Sequence, residues 1–255
     1  MQGTCASREI KQMSEPRPSV LVPVAVLRGE TISEAVIELL SAVDVTLLGY
    51  HVIPEQTATE QAHDQFHRKV ERKLNDYVEL FDEYGGSVTT RSVFTHNATT
   101  TFERIAVDEA ADSILLLNPA PAAERILVPI RGEVNIDRIV QLTAAIATGS
   151  DPEIVLFHVA KHTDDREAGR EILSHAAEAL STAGVDADRI TQQIDVSDSP
   201  LSAIAAAAEE TDLVVIGEKA PSIIDRILGD VATRIADSSL SPVLVVRKNA
   251  TNAAE

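Results

Sequence analysis

The chain is written twice, and that duplication limits what it can fold into more than any other feature. Val20-Leu-Val-Pro-Val24 recurs as Ile126-Leu-Val-Pro-Ile130, and Leu47-Leu-Gly-Tyr-His51-Val52 recurs as Ile154-Val-Leu-Phe-His158-Val159. The segment from Thr101 through Asp112 to Leu117 matches that from Leu201 through Asp212 to Ile216. Three matches in one order mark an internal repeat, so whatever supersecondary unit one copy forms, the other forms too.

Within each copy, short β-branched runs alternate with helical periods, the pattern of βαβ units with a parallel sheet between two helical layers. The first copy predicts strands at 20–26, 45–52, 87–94 and 113–117, with helices at 31–42, 57–84 and 99–110. The second predicts strands at 126–130, 153–159, 189–195 and 212–216, with helices at 134–147, 164–183 and 199–210. It then adds a helix at 222–239 and a strand at 242–247. Gly85-Gly86 and Gly184 stand where helix C-terminal stops belong. The copies are unequal, because Asn118 to Glu124 is too short to hold a further helix and strand. The first unit therefore ends on an uncovered sheet edge, a liability that proteins cover. The second unit is the expected cover, giving a pseudo-symmetric pair within one chain that a homo-oligomer could double again. The expected organisation is a tail at 1–16, a degenerate unit at 17–118, a complete unit at 124–248 and a tail at 249–255.

Forty acidic against 22 basic residues give a net charge of −18, and only six of the bases are Lys. Such a surface repels nucleic acid and anionic lipid, which removes both as partners held by general electrostatics. An acidic, Lys-poor surface also suits a halophilic, high-salt cytoplasm, where the screening length falls to about 3 Å at 1 M; a merely acidic protein is the alternative. Apolar runs such as 20–26 and 213–216 are far shorter than the roughly 18 residues of a membrane helix, so no membrane insertion is expected. With no apolar signal core near Arg8 and Lys11, and Cys5 the only cysteine, the expected location is cytoplasmic.

The last quarter carries the densest motif: Thr211-Asp-Leu-Val-Val-Ile-Gly217-Glu-Lys-Ala220, then Gly229-Asp230-Val231, then Ser241-Pro-Val-Leu-Val-Val-Arg247. An apolar run ending at a glycine ahead of a helix start offers backbone N–H groups to a phosphate. The arrangement resembles the C-terminal signature of the universal stress protein family, Gly-x2-Gly-x9-Gly-Ser/Thr before a Pro-Val-Leu-Val-Val strand, and the likeness extends over most of residues 18–248. The resemblance implies a Rossmann-like α/β fold of the adenine nucleotide alpha hydrolase type. It implies a parallel five-stranded sheet of order 3-2-1-4-5 in the second unit and a four-stranded remnant in the first. It also implies a ligand crevice where the loops after strands 1 and 4 meet. Carried onto this chain, the family's ATP or AMP site, with Mg, falls on Pro129, Ile130, Arg131 and Gly132 after strand 1 and on Val159 at the end of strand 2. The phosphate loop falls on Gly217, Lys219, Ala220, Ser222, Gly229, Asp230 and Val231.

The motif is eroded. Arg131 stands where nucleotide-binding members carry an Asp, and Ala25 stands there in the first copy. A guanidinium donates only, so the acceptor for the nucleoside is lost. Ala220 replaces a glycine, the spacing to Gly229 is one residue short, and Asp230 replaces Ser/Thr. A carboxylate beside a phosphate costs roughly 4 kcal/mol at 4 Å and an effective dielectric of 20, unless Mg²⁺ reverses the sign. The loop is either structural or an altered anion site served by Lys219, Ser222 and Arg226.

His51 and His158 share an equivalent strand end and read as structural histidines. His63 and His67, one helical turn apart beside Asp64, lack a third metal ligand in the sequence pattern. No Gly-x-Ser-x-Gly elbow, Ser-x-x-Lys set or Walker-type phosphate loop occurs, so no catalytic residue is assigned. The expectation is a regulatory or interaction protein without enzymatic activity. The alternatives are an ATP- or AMP-binding member with slow or no hydrolysis, and a regulator of a membrane transporter, since the Gly217–Ser222 loop resembles the transporter-linked subgroup. An electron-transfer flavoprotein-like relative on the same fold lacks residue support.

Overall fold

The computed structural model describes residues 17–54, 56, 59–118, 120, 122–132, 135–218 and 241–248, with the backbone alone for 59–65. The expected helix at 222–239 and both expected tails lie outside the described residues. In the first repeat the elements are β1 (Ser19–Val24), α1 (Glu34–Leu40), β2 (Asp44–Val52), α2 (Thr59–Glu83), β3 (Ser87–Thr95), α3 (Ala98–Asp108) and β4 (Ser113–Leu116). In the second they are β5 (Arg125–Pro129), α4 (Ile136–Ser150), β6 (Glu153–Ala160), α5 (Arg166–Thr182), β7 (Ile190–Val196), α6 (Pro200–Ala208), β8 (Leu213–Gly217) and β9 (Val243–Val246).

All nine strands form one sheet of order β3-β2-β1-β4-β9-β8-β5-β6-β7. Its second half, read from β7 inward to β9, gives the order 3-2-1-4-5 and its first half the four-stranded remnant. Every pairing is parallel except one: β4 runs antiparallel to β9, with Leu115 opposite Leu244 and Ser113 opposite Val246. The open edge left by the missing fifth strand is thus covered by the fifth strand of the other repeat. The residues that meet there are apolar apart from Ser113 and mostly buried, with Val243, Leu244, Val245 and Val246 each at most 2% exposed.

The helices sort by crossover direction. α1, α2, α4 and α5 cover one face over a continuous core that includes Val22, Ile37, Leu47, Ile126, Leu156, Leu173 and Leu244. On the opposite face α3 packs on Leu21, Leu48 and Ile114, while α6 packs on Leu127, Val155 and Phe157. Both glycine stops are realised. Gly85 and Gly184 take left-handed φ values of 73° and 100°, and the following residue's N–H returns to Phe81 O and Leu180 O respectively.

Two sequence expectations shift. Strand 1 ends at Val24 instead of residue 26, because Val26–Arg28 coil into a 3₁₀ turn closed by Gly29 at φ 81°. The first helix begins at Glu34, where the Ser33 side chain accepts the Val36 N–H.

The matched aspartates explain part of the repeat. Asp112 Oδ2 accepts the Ser19 N–H at 2.9 Å, and Asp212 Oδ2 accepts the Glu124 and Arg125 N–H groups, each at 2.9 Å. Their own N–H groups return to Ser19 O and Arg125 O. Each carboxylate therefore pins the start of strand 1 to the start of strand 4.

Candidate functional site

The crevice of each repeat follows from its strand register. β1 pairs with β4 only at Val20 and Leu21, and β5 pairs with β8 only at Ile126 and Leu127. Pro23 and Pro129 come next but one and have no N–H to extend a ladder. Strands 1 and 4 part beyond that point, and the loops that follow them border an opening at the C-terminal ends, the switch point of an open α/β sheet. Because β4 and β9 are antiparallel, the two crevices open at opposite ends of the sheet.

In the second repeat the opening is bordered by Ile130, Arg131 and Gly132 after β5, His158 and Val159 in β6, and Gly217 and Glu218 at the end of β8. Several of these expected ligand contacts are engaged internally. Ile130 is buried in the core, its N–H donates to Phe157 O at 2.8 Å, and its carbonyl accepts from His158 Nδ1–H at 2.9 Å. That takes up the Ile130 N–H and one lone pair of its carbonyl, and it orients the His158 ring. The imidazole also lies against Gly169 of α5, where an added Cβ would come within 2.5 Å of His158 Cδ2. Val159 packs partly buried against the α6-side core. At Gly217 a Cβ would meet Ile139 Cδ1 at 2.8 Å, so a side chain there would make the end of Ile139 shift. Pro129 is half-buried. Gly132 takes φ 70° with open space around it, so its backbone conformation and not a close neighbour favours glycine. Arg131 is exposed, and neither its guanidinium nor its N–H has a hydrogen-bond partner among the described residues. Lys219, Ala220, Ser222, Gly229, Asp230 and Val231 lie outside the described residues, as does Arg226.

Sequence reasoning overlooked a polar seam beside this opening. Glu218 is buried; its N–H donates to Val246 O at 2.7 Å and its Oε2 accepts the Lys248 N–H at 3.0 Å. Arg138 of α4 donates to Arg247 O at 3.1 Å and to Asp112 Oδ1 at 3.2 Å. Arg247 in turn donates from Nη1 to Ala106 O and Ala111 O at the end of α3. Asp112 thus pins β1 with one oxygen and receives the second repeat's Arg138 with the other.

At the first repeat's opening a side chain of the same loop bonds the strand end. Glu30 Oε2 accepts the Ala25 N–H at 2.5 Å. Burial pushes the Glu30 carboxyl above its ordinary value, against the opposing effects of that N–H and of Arg28. Burial, then the Glu30 charge, raises Tyr50, which meets Phe102 edge-on at 4.7 Å. Burial, then Arg28, lowers His51. One signal for Glu30 was present in the sequence: six residues beyond Val24 the chain has Glu30, whereas six beyond Ile130 it has the buried Ile136.

The paired histidines on α2 do not make a metal site in what is described. His67 bonds Glu71 at 2.9 Å and Ser92 at 3.3 Å, the side chains of His63 and Asp64 lie outside the described residues, and no cluster of three ligating side chains occurs among the described residues. No described helix is long and apolar enough to cross a membrane.

Comparison with known proteins follows this geometry. Residues 122–247 match the model of the universal stress protein family. Among functionally curated proteins none matches the sequence. A universal stress protein from Archaeoglobus fulgidus is 15% identical and superposes with a TM-score of 0.61 over 91% of this chain and 97% of its own. The cytoplasmic domain of a prokaryotic cation chloride cotransporter is 14% identical, with a TM-score of 0.56 over 90% and 95%. A universal stress protein from Pseudomonas aeruginosa is 15% identical, with a TM-score of 0.51 over 91% and 93%. At these identities the solved structures establish a shared fold along nearly the whole chain. Together with the family match, they make this a tandem Rossmann-like α/β chain whose residues 122–247 match the universal stress protein family.

Proposed function

We propose that the chain is a non-catalytic regulatory or interaction protein whose second repeat keeps the family's crevice in a form altered away from nucleoside recognition. The observation that carries this reading is Arg131. It is exposed at the end of β5 and can only donate, where a nucleoside site of the family type needs a carboxylate acceptor. The first repeat has Ala25 at that position, and its N–H is already taken by Glu30. Neither of these two positions supplies the family's carboxylate acceptor. Among the described residues no set of nucleophile, base and oxyanion donors comes together at either strand end. The effect of such a protein would be exerted on a protein partner, a membrane transporter among the candidates.

Titration calorimetry with ATP, ADP and AMP, with and without Mg²⁺, in molar KCl, tests the reading. No saturable heat from demonstrably folded protein is expected. Saturation at micromolar nucleotide would refute it in favour of the second reading, an ATP- or AMP-binding member with slow or no hydrolysis. That alternative draws its support from the retained 3-2-1-4-5 order and the glycine at the end of β8.

A further inference from the structure

We propose that Arg131, through its guanidinium and its backbone N–H, forms a carboxylate-binding site in the second repeat, and that Glu30 is a built-in carboxylate occupying the equivalent position of the first. The inference rests on reading the second repeat as a ligand-responsive module and names the chemistry of its ligand.

The repeat supplies the argument. Ala25 and Arg131 are each the residue after the matched runs Val20–Val24 and Ile126–Ile130, so their N–H groups emerge at the same point of the same crevice. In the first repeat that N–H is bound by a carboxylate oxygen at 2.5 Å, although burial outweighs this bond and the Arg28 charge and raises the Glu30 carboxyl above its ordinary value. The structure thus contains a worked example of what this strand end binds: one carboxylate oxygen on the amide. In the second repeat the two donors are present, and no acceptor bonds them among the described residues. Its N–H has no partner among the described residues, the guanidinium sits on the same residue and is exposed, and the loop is shorter, so that the residue six beyond the strand is already Ile136, the buried first residue of α4. A carboxylate matches this pair, because a guanidinium binds it in planar, charge-assisted fashion while an amide N–H takes a free lone pair. Ligand phosphate would meet the same donors, but the first repeat shows the carboxylate.

With one exposed guanidinium and one amide, the dissociation constant should be on the order of 1–10 mM, reached only with other contacts from the ligand's body. The carboxylate could belong to a small organic acid or to the free C-terminus of a peptide.

The test is an amide-resolved NMR titration of the full chain at fixed ionic strength, KCl being exchanged for sodium succinate, for a short peptide with a free C-terminus, or for its amidated form. Saturable shifts of the Arg131 and Gly132 amides are expected with succinate or the free peptide, and none with the amidated one; which of the two binds tighter identifies the source. Arg131→Ala, a surface change, should weaken binding at least tenfold. Glu30→Ala should open a second site, seen as new saturable shifts at Ala25. Should Glu30→Ala not fold, the Arg131 variant alone decides. Three results would overturn the proposal: no saturable shift up to 100 mM (about tenfold above the expected range), shifts unaffected by Arg131→Ala, or inorganic phosphate binding the same amides more tightly than succinate. None of these depends on nucleotide, so a failed carboxylate titration leaves the nucleotide calorimetry to judge the proposed function separately.

Discussion

Replacing Leu244 by Ala tests whether β9 makes the two repeats a single cooperative unit. Leu244 is fully buried in the main core and sits in register between Leu115 of β4 and Val215 of β8. Truncation removes its transfer free energy and leaves a cavity that a strand hydrogen-bonded on both sides cannot close by moving; such Leu→Ala changes cost about 3–5 kcal/mol. That is a large part of the stability expected for the whole fold. The cost should fall on both repeats, because β4 has β9 as its outer neighbour and the two repeats share one apolar layer through α1 and α4. Native-state hydrogen exchange reads this directly. Amides of β1 and β2 in the first repeat, and of β5 and β6 in the second, should all exchange faster by the same factor, roughly a hundredfold or more for 3 kcal/mol. Acceleration confined to β5, β6 and β8, with Val22 and Leu48 unchanged, would refute the coupling and make the first repeat an autonomous unit.

Three further substitutions probe single contacts. Gly169→Ala drives a methyl into His158 and should destabilise by about 1–3 kcal/mol in a urea melt; an unchanged midpoint would mean that the imidazole is not held by Ile130 O. Thr143 is fully buried with its hydroxyl unpartnered, so Thr143→Val should raise stability by about 1 kcal/mol, and a loss would reveal a hidden hydrogen bond. Glu30 has a folded-state pKa raised above the ordinary carboxylate value of 4.5. The folded state therefore binds its proton more tightly than the unfolded state, and the stability this contributes at low pH is lost as pH rises through the folded value. Glu30→Gln, whose amide oxygen can still accept from Ala25, should be more stable than the parent at pH 7 and show no gain below about pH 4. A gain that persists at pH 4 would contradict desolvation as the cause.

The sequence by itself determined the units and their order. Alternating short strands and helical periods, the positive-φ glycines at 85 and 184, and the loss of a fifth strand after Leu117 are all local properties, fixed by side-chain period and allowed backbone angles within a few residues. The matched Asp112 and Asp212 were visible as a pattern, though not as the clamps they prove to be, since each acts across 87 to 93 residues of chain. What only the tertiary structure decided is how the orphaned edge was closed. An uncovered β4 dictates that something must pair with it, but the choice of β9, and of the antiparallel direction, depends on register between strands about 130 residues apart. Likewise Glu30 reads as an ordinary surface acid until the chain turn at Val26–Arg28 carries it back onto Ala25. Sequence period reports which face a residue prefers; it is silent on which distant backbone group will need a partner once the sheet has formed, and those needs shaped both crevices.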